Sequence, residues 1–196
     1  DFAIVGDKRF NENQGRAHIF EKQPDGNWLM VKVISANNPA EKDYFGFSVA
    51  IEGGVAVVGA YEDDSRPGGG IGSVYIFEKQ GNSWPDTETE KLTATEHQPL
   101  NGDQFGYSVA IAGGLVIVGT RYSGGSHQGC AYIFERNESG GDWSQETMLV
   151  ASHPRSWYEF GYSVAIADGV AIVATRDAVT YIFERQPDNI WSRKRV

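Results

Sequence analysis

A phrase of sixteen residues is written three times in this chain. It reads FGFSVAIEGGVAVVGA from Phe45, FGYSVAIAGGLVIVGT from Phe105 and FGYSVAIADGVAIVAT from Phe160. A second phrase follows the same rhythm: AHIFEKQPDGNW from Ala17, VYIFEKQGNSW from Val74, AYIFERNESGGDW from Ala131 and TYIFERQPDNIW from Thr180. Its phenylalanines are Phe20, Phe77, Phe134 and Phe183, and its tryptophans are Trp28, Trp84, Trp143 and Trp191. A third element, VKVISA from Val31, KLTA from Lys91 or MLVA from Met148, precedes each return to Phe-Gly. Repetition at this period means one supersecondary unit stacked on copies of itself, because a single unit cannot bury its apolar face alone.

Each unit reads as four strands. In FGYSVAI, Phe105, Tyr107, Val109 and Ile111 alternate with Gly106, Ser108 and Ala110, which is the strand period and predicts one large and one small face. LVIVGT and YIFER are β-branched and aromatic, as strands are. Glu52-Gly53-Gly54, Ala112-Gly113-Gly114 and Ala167-Asp168-Gly169 read as short glycine hairpins joining the first two strands. No stretch carries a convincing helical period. Tandem four-stranded units of about fifty residues predict an all-β propeller, in which the bulky face of one blade packs into the small-residue face of its neighbour. The expected organisation is one propeller segment over residues 1–196, with approximate blades at 1–44, 45–104, 105–159 and 160–196. DFAIVG aligns with VAVVGA from Val55, so the first unit opens on its second strand. An open arc leaves bare apolar faces. The expectation is therefore a fragment or part of a larger ring, completed by further blades or by another chain.

The Phe-Gly strand, the VVGA-like second strand and the YIFE third strand resemble FG-GAP repeats, the blades of the integrin α-subunit propeller and of many secreted or surface-anchored bacterial and algal proteins. The resemblance covers essentially the whole chain in register. It implies an extracellular or surface module for adhesion, protein–protein interaction or structural assembly, without enzymatic activity. The second half of the motif is degenerate: Gly59-Ala60-Tyr61, Gly119-Thr120-Arg121 and Ala174-Thr175-Arg176. Many integrin blades hold calcium between their first two strands. The corresponding hairpins here offer at most one carboxylate each, whereas calcium takes six to eight oxygens, so no metal or cofactor is expected there.

A formal charge of −9 excludes the basic footprint that nucleic-acid binding needs, and no apolar run reaches the ~20 residues of a membrane helix. One cysteine, Cys130, allows no disulfide within the chain. GxSxG, HExxH and P-loop signatures are absent from the sequence. Ser48, Ser108 and Ser163 recur in every full unit, so their expected role is to satisfy a buried backbone group.

Binding residues are expected in the loops that vary while the strands do not. These are DKRFNENQG, YEDDSRPGGGIGS, RYSGGSHQG and the much shorter RDAV, with the crossovers between units on the same side. Glu62, Asp63 and Asp64 form an acidic run that reads either as a solvated loop tip or as a contact for a cation or a basic partner. Arg121, His127, His153, Arg155, Trp157 and Tyr158 supply aromatic and basic groups; the last four suit a sugar ring, which makes a carbohydrate-binding or carbohydrate-active propeller the alternative. His97, His127 and His153 face one side but lack the spacing of a zinc site. His18 takes the slot of Tyr75, Tyr132 and Tyr181 and is expected to pack. Asn137 opens a glycosylation sequon in an exposed turn.

Overall fold

The computed structural model describes residues 1–64, 70–94, 102–137 and 141–194. These residues form four antiparallel sheets in chain order. The first has three strands: β1 (Phe2–Asp7), β2 (Arg16–Lys22) and β3 (Trp28–Ile34). The second comprises β4 (Ser48–Glu52), β5 (Val55–Ala60), β6 (Ser73–Glu78) and β7 (Glu90–Leu92). The third comprises β8 (Phe105–Ala112), β9 (Leu115–Thr120), β10 (Cys130–Arg136) and β11 (Trp143–Leu149). The fourth comprises β12 (Ser163–Ala167), β13 (Val170–Ala174), β14 (Thr180–Arg185) and β15 (Trp191–Lys194). Each is a simple meander, as blades are, and the three-stranded first sheet opens on the strand the repeat alignment predicts.

The core lies between the sheets, in three equivalent layers. Phe45, Tyr75 and Phe77 of the second sheet pack on Ala17, Ile19 and Ile34 of the first. Phe105, Tyr132 and Phe134 of the third pack on Val57, Val74 and Ile76 of the second. Phe160, Tyr181 and Phe183 of the fourth pack on Ile117, Ala131 and Ile133 of the third. Aromatic faces therefore always point towards the preceding sheet and aliphatic faces towards the next. Within each aromatic face the Phe of Phe-Gly meets the other two rings, as Phe105 does at 5.6 Å from Tyr132 and 6.0 Å from Phe134.

One detail departs from the alternation expected for FGYSVAI. The β8–β9 register shifts between Phe105 and Ser108. Gly106 has a φ of +85°, a left-handed conformation that only glycine adopts without strain. The shift leaves Phe105 in the core with Val109 and Ile111 but sends Tyr107 out of that face, to stack 4.9 Å from Phe47 and 5.4 Å from Tyr162. The aromatic residue of FGY is a loop-end residue and not a core one.

The repeated serines act between blades. Ser48 Oγ donates to the carbonyl of Gly106 at 2.8 Å, and Ser108 Oγ donates to that of Gly161 at 2.8 Å. These carbonyls press against glycines of the preceding sheet: a Cβ built on Gly119 would lie under 3.0 Å from the Gly161 oxygen. Farther out, Lys79 pairs with Glu21, Arg136 with Glu78 and Arg185 with Glu135, one ion pair per junction from the same phrase. Surface pairs of this kind contribute about 0–1 kcal/mol each, less than the buried ring contacts, at about 0.5–1.5 kcal/mol per pair beyond their burial.

The first sheet's aromatic-side face has no sheet against it among the described residues. Val5, Met30 and Val33 are 54%, 51% and 41% exposed there, and His18 is half-buried with Nδ1 3.3 Å from Met30 Sδ. Trp28 is 48% exposed while its counterparts Trp84 and Trp143 are 6% exposed.

Replacing Gly119 by Ala should force the third and fourth sheets apart. The expected cost is about 1–3 kcal/mol, the usual range for overpacking. Gly113→Ala, where no atom lies within 4 Å of the added carbon, should cost only the left-handed penalty of about 1 kcal/mol. Denaturant midpoints of the two variants, compared with wild type, check this ordering.

Candidate functional site

The short hairpins at 53–54, 113–114 and 168–169 lie at one end of the sheets. The variable inner loops and the crossovers lie at the other. At that end each crossover runs beside the preceding inner loop. Trp157 N donates to Ser126 O (2.9 Å), Glu159 N to His127 O (3.2 Å) and Phe160 N to Gln128 O (2.9 Å). At the first junction Lys42, Tyr44 and Phe45 bond Glu12, Asn13 and Gln14 in the same way. This ladder needs left-handed residues: His127, Trp157 and Glu159 have φ of +56°, +63° and +49°, and Asn13, Lys42 and Tyr44 have +66°, +70° and +55°. The strain belongs to the frame. The side chains carried on it differ from one junction to the next.

On the third and fourth sheets those side chains form a continuous row. The Trp157 ring stacks on His127 at 4.3 Å and 28°. His127 meets Tyr122 edge-on at 4.6 Å. The Arg121 guanidinium lies between Tyr122 and Tyr107, 4.2 Å from each ring centre. Tyr107 continues to Phe47, Tyr61 and Tyr162, and Tyr44 stacks on Tyr61 at 5.3 Å. Lys8 lies over Phe47 at 4.3 Å, as Arg121 does over Tyr107.

A polar chain holds the row in place. Gly70 N donates to Glu62 Oε2 (2.8 Å), and Gln104 Nε2 to Glu62 Oε1 (2.7 Å). Arg121 Nε donates to Gln104 Oε1 (2.6 Å) and its Nη1 lies 3.8 Å from Glu159 Oε2. Glu159, only 1% exposed, takes a second ion pair from Arg176 at 3.0 Å. Three sheets are thus tied through side chains at the loop end. Arg176 itself is 64% exposed and Trp157 is 61% exposed, so the row ends in groups open to a partner.

The sequence-predicted residues divide. Arg121, His127 and Trp157 come together, and Glu62 joins them through Gln104. Asp63 turns inward, accepting from Tyr75 Oη at 2.6 Å and pairing with Lys91 at 2.8 Å, while Asp64 reaches Lys91 at 3.5 Å. Tyr158 is buried, its hydroxyl 3.1 Å from that of Tyr181. Arg155 is exposed, and its carbonyl accepts from Tyr158 N. His153 bonds Ser152 Oγ at 3.1 Å and lines a shallow pocket of about 290 Å³ with Tyr181 and Arg193, away from the row. His97 lies outside the described residues. Asn137 is exposed in the β10–β11 turn at the hairpin end; Glu138 and Ser139 of its sequon lie outside the described residues. Among the described residues no group of three or more His, Cys, Asp or Glu is placed to hold a metal ion. Cys130 is a free, buried thiol that burial pushes up from its ordinary pKa.

The sequence pattern of the FG-GAP repeat matches residues 28–77 and 87–134, half of the chain. The chain belongs to the FG-GAP repeat family. No curated protein matches it. The two matched FG-GAP segments span the first two blade junctions, and the fourth sheet repeats the architecture beyond them.

Sequence reasoning missed Phe47, Tyr61, Tyr107, Tyr162, Arg176 and Glu159. A signal was present. The residue after each VVGA-like strand is Tyr61, Arg121 or Arg176, and Lys8 in the first unit, so each FG-GAP blade contributes one aromatic or cationic group there. The third residue of each Phe-Gly phrase is aromatic as well. Burial, reinforced by Glu62, pushes Tyr61 up to about 12, so it remains a neutral phenol within the row.

Under the acidic loop, burial and the charges of Asp63 and Asp64 push Asp43 up to about 6, against the hydrogen bond from Ala40 N. Asp63 is held below its usual value in spite of burial, because Lys91, Tyr75 and Ser73 all favour its charged form. A raised carboxyl contributes stability at low pH that is lost as pH rises through its folded value. Asp43→Asn keeps an acceptor for Ala40. Its stability relative to wild type should therefore increase as pH rises from about 4 to about 6, measured by thermal unfolding across that window.

Proposed function

We propose that this FG-GAP chain is a non-enzymatic binding module of a secreted or surface-anchored protein, engaging a protein partner through the Trp157–His127–Tyr122–Arg121–Tyr107 row. The observation that carries the reading is the open end of that row: a tryptophan 61% exposed, stacked on a histidine and backed by a clamped arginine. Exposed aromatic and arginine side chains on a rigid frame are the residue types that dominate protein interfaces. Their rotamers are already fixed by stacking, which lowers the entropy cost of binding. The adhesive or assembly role follows from a face that offers recognition groups while its carboxylates serve the frame. Among the described residues no helix is long and apolar enough to cross a membrane, and the charge of −9 does not favour nucleic acid.

The first sheet's uncovered face supports a second contact of the same module. Val5 and Trp28 occupy positions that are covered at the second and third sheets, where Val58, Val118, Trp84 and Trp143 are buried. A further blade, from elsewhere in the parent polypeptide or from another chain, would complete the array there. A glycan is the alternative ligand for the row, favoured by the one flat, exposed indole of Trp157.

A photo-crosslinker placed at Tyr162 should capture a protein partner from the surface fraction of the source cells, and the same probe at Asp168, on the hairpin end, should not. Trp157→Ala should weaken that partner by about 2 kcal/mol or more, in the range of interface hot spots, while leaving the unfolding temperature unchanged. Glycan-array binding that depends on Trp157 would transfer the reading to carbohydrate. Turnover of a polysaccharide by the purified chain would end the non-enzymatic assignment.

A further inference from the structure

The three junctions share two points at which backbone meets backbone. At the first, Gly6, Gly59 and Gly119 face the carbonyls of Gly46, Gly106 and Gly161; at the second, Gly15, Gly72 and Gly129 face those of Phe45, Phe105 and Phe160. A Cβ at any of the six would fall under 3.0 Å from the facing oxygen. The obstacle is backbone in every case, so no side-chain rotation relieves it. These glycines form the seat that receives the next blade's Phe-Gly strand.

The fourth sheet has the same seat in the same register, and both glycines are gone from it. Ala174 pairs with Ser163 and Thr180 as Gly59 pairs with Ser48 and Val74, and as Gly119 pairs with Ser108 and Ala131. Ala178 stands two residues before Thr180, as Gly72 and Gly129 stand two before Val74 and Ala131. Ala178 also keeps the left-handed conformation of the glycines it replaces, with φ of +61° against +86° and +77°. Ser163, the counterpart of the serines that grip the incoming glycine carbonyl, is retained and exposed. The backbone shape of the seat survives, and two methyl groups occupy it.

We propose that Ala174 and Ala178 close the fourth sheet's outward face to the Phe-Gly strand of a further FG-GAP blade, which leaves the first sheet's uncovered aromatic-side face as the one at which the described blades can be extended. The inner loop agrees with this. Thr175 N bonds Val179 O, and Val179 N bonds Thr175 Oγ1, so the five-residue turn closes on itself. The longer loops instead turn the carbonyls of Gln14, Ile71 and Gln128 towards the incoming Phe amide. This polarity stands on the three junctions and not on the identity of any binding partner.

The test extends the full chain after Val196 with a second copy of residues 150–194, marked by Ile166→Val so that its peptides are distinguishable by mass. One version keeps the native seat; the other carries Ala174→Gly and Ala178→Gly in the first copy. Hydrogen exchange is followed in the appended FGYSVA segment, with Phe45, Phe105 and Phe160 of the parent chain as folding controls. The appended amides should exchange as an unfolded chain does on the native seat, and about ten-fold or more slowly on the glycine seat. Equal protection on both seats overturns the proposal. Protection on neither overturns the assignment to these two alanines.

Discussion

Everything in this molecule depends on how closely two backbones can approach at a blade junction. A carbonyl of the Phe-Gly strand lies where the Cβ of Gly59 or Gly119 would be, and a serine hydroxyl caps the same oxygen from the side. That contact sets the spacing between sheets. The spacing lets Phe45, Phe105 and Phe160 reach the rings of the following YIF strand while touching the sheet before. It also brings the Phe amide within hydrogen-bonding distance of the previous inner loop. Glycine is irreplaceable here for lack of volume more than for flexibility. The aromatic layers and the outer ion pairs then add stability to a geometry that is already defined.

The same constraint separates frame from function. Most residues that repeat are occupied wherever a junction is made: Ser48 and Ser108 by carbonyls, Phe45, Phe105 and Phe160 by the core, and Lys79, Arg136 and Arg185 by glutamates of the neighbouring blade. The left-handed residues of the crossover ladder belong to the frame as well, because Lys42 and Tyr44 adopt them where Trp157 and Glu159 do. What remains for recognition is the choice of side chain on an invariant backbone. Asn13 and Lys42 stand where His127 and Trp157 form a stack two blades later. A fold of this kind can change its partner without moving a strand.

The architecture was legible because strand period and phrase repetition are one-dimensional signals. Four strands per unit, glycine hairpins at 53–54 and 113–114, a first unit that opens on its second strand and structural serines can all be read along the chain. Tyr107 could not be placed that way. Its sorting depends on the left-handed turn at Gly106, which breaks the alternation after one residue. The acidic run was equally opaque. Glu62, Asp63 and Asp64 are adjacent in sequence, yet one reaches Gln104, one is buried under Lys91 and Tyr75, and one stays half in solvent. Partners between 12 and 42 positions away decide those fates. Local composition carries no trace of them.

Arg121 shows why the loop end is rigid enough to recognise anything. An exposed arginine loses about 2 kcal/mol of rotamer freedom when a partner fixes it. Arg121 has lost that freedom on folding, held between two rings with its Nε on Gln104 and an Nη near Glu159. Arg176 occupies the same position one blade on, with Glu159 but without a pair of rings over it, and is exposed accordingly. The difference arises because Asp177 follows Arg176 where Tyr122 follows Arg121, and because Tyr107 is held from the blades on either side by Phe47, Tyr61 and Tyr162. Each blade therefore completes the binding residues of its neighbour, as it completes its neighbour's core. Recognition at the loop end is a property of adjacent blades together, and loosening one junction would disorder the row on both sides of it.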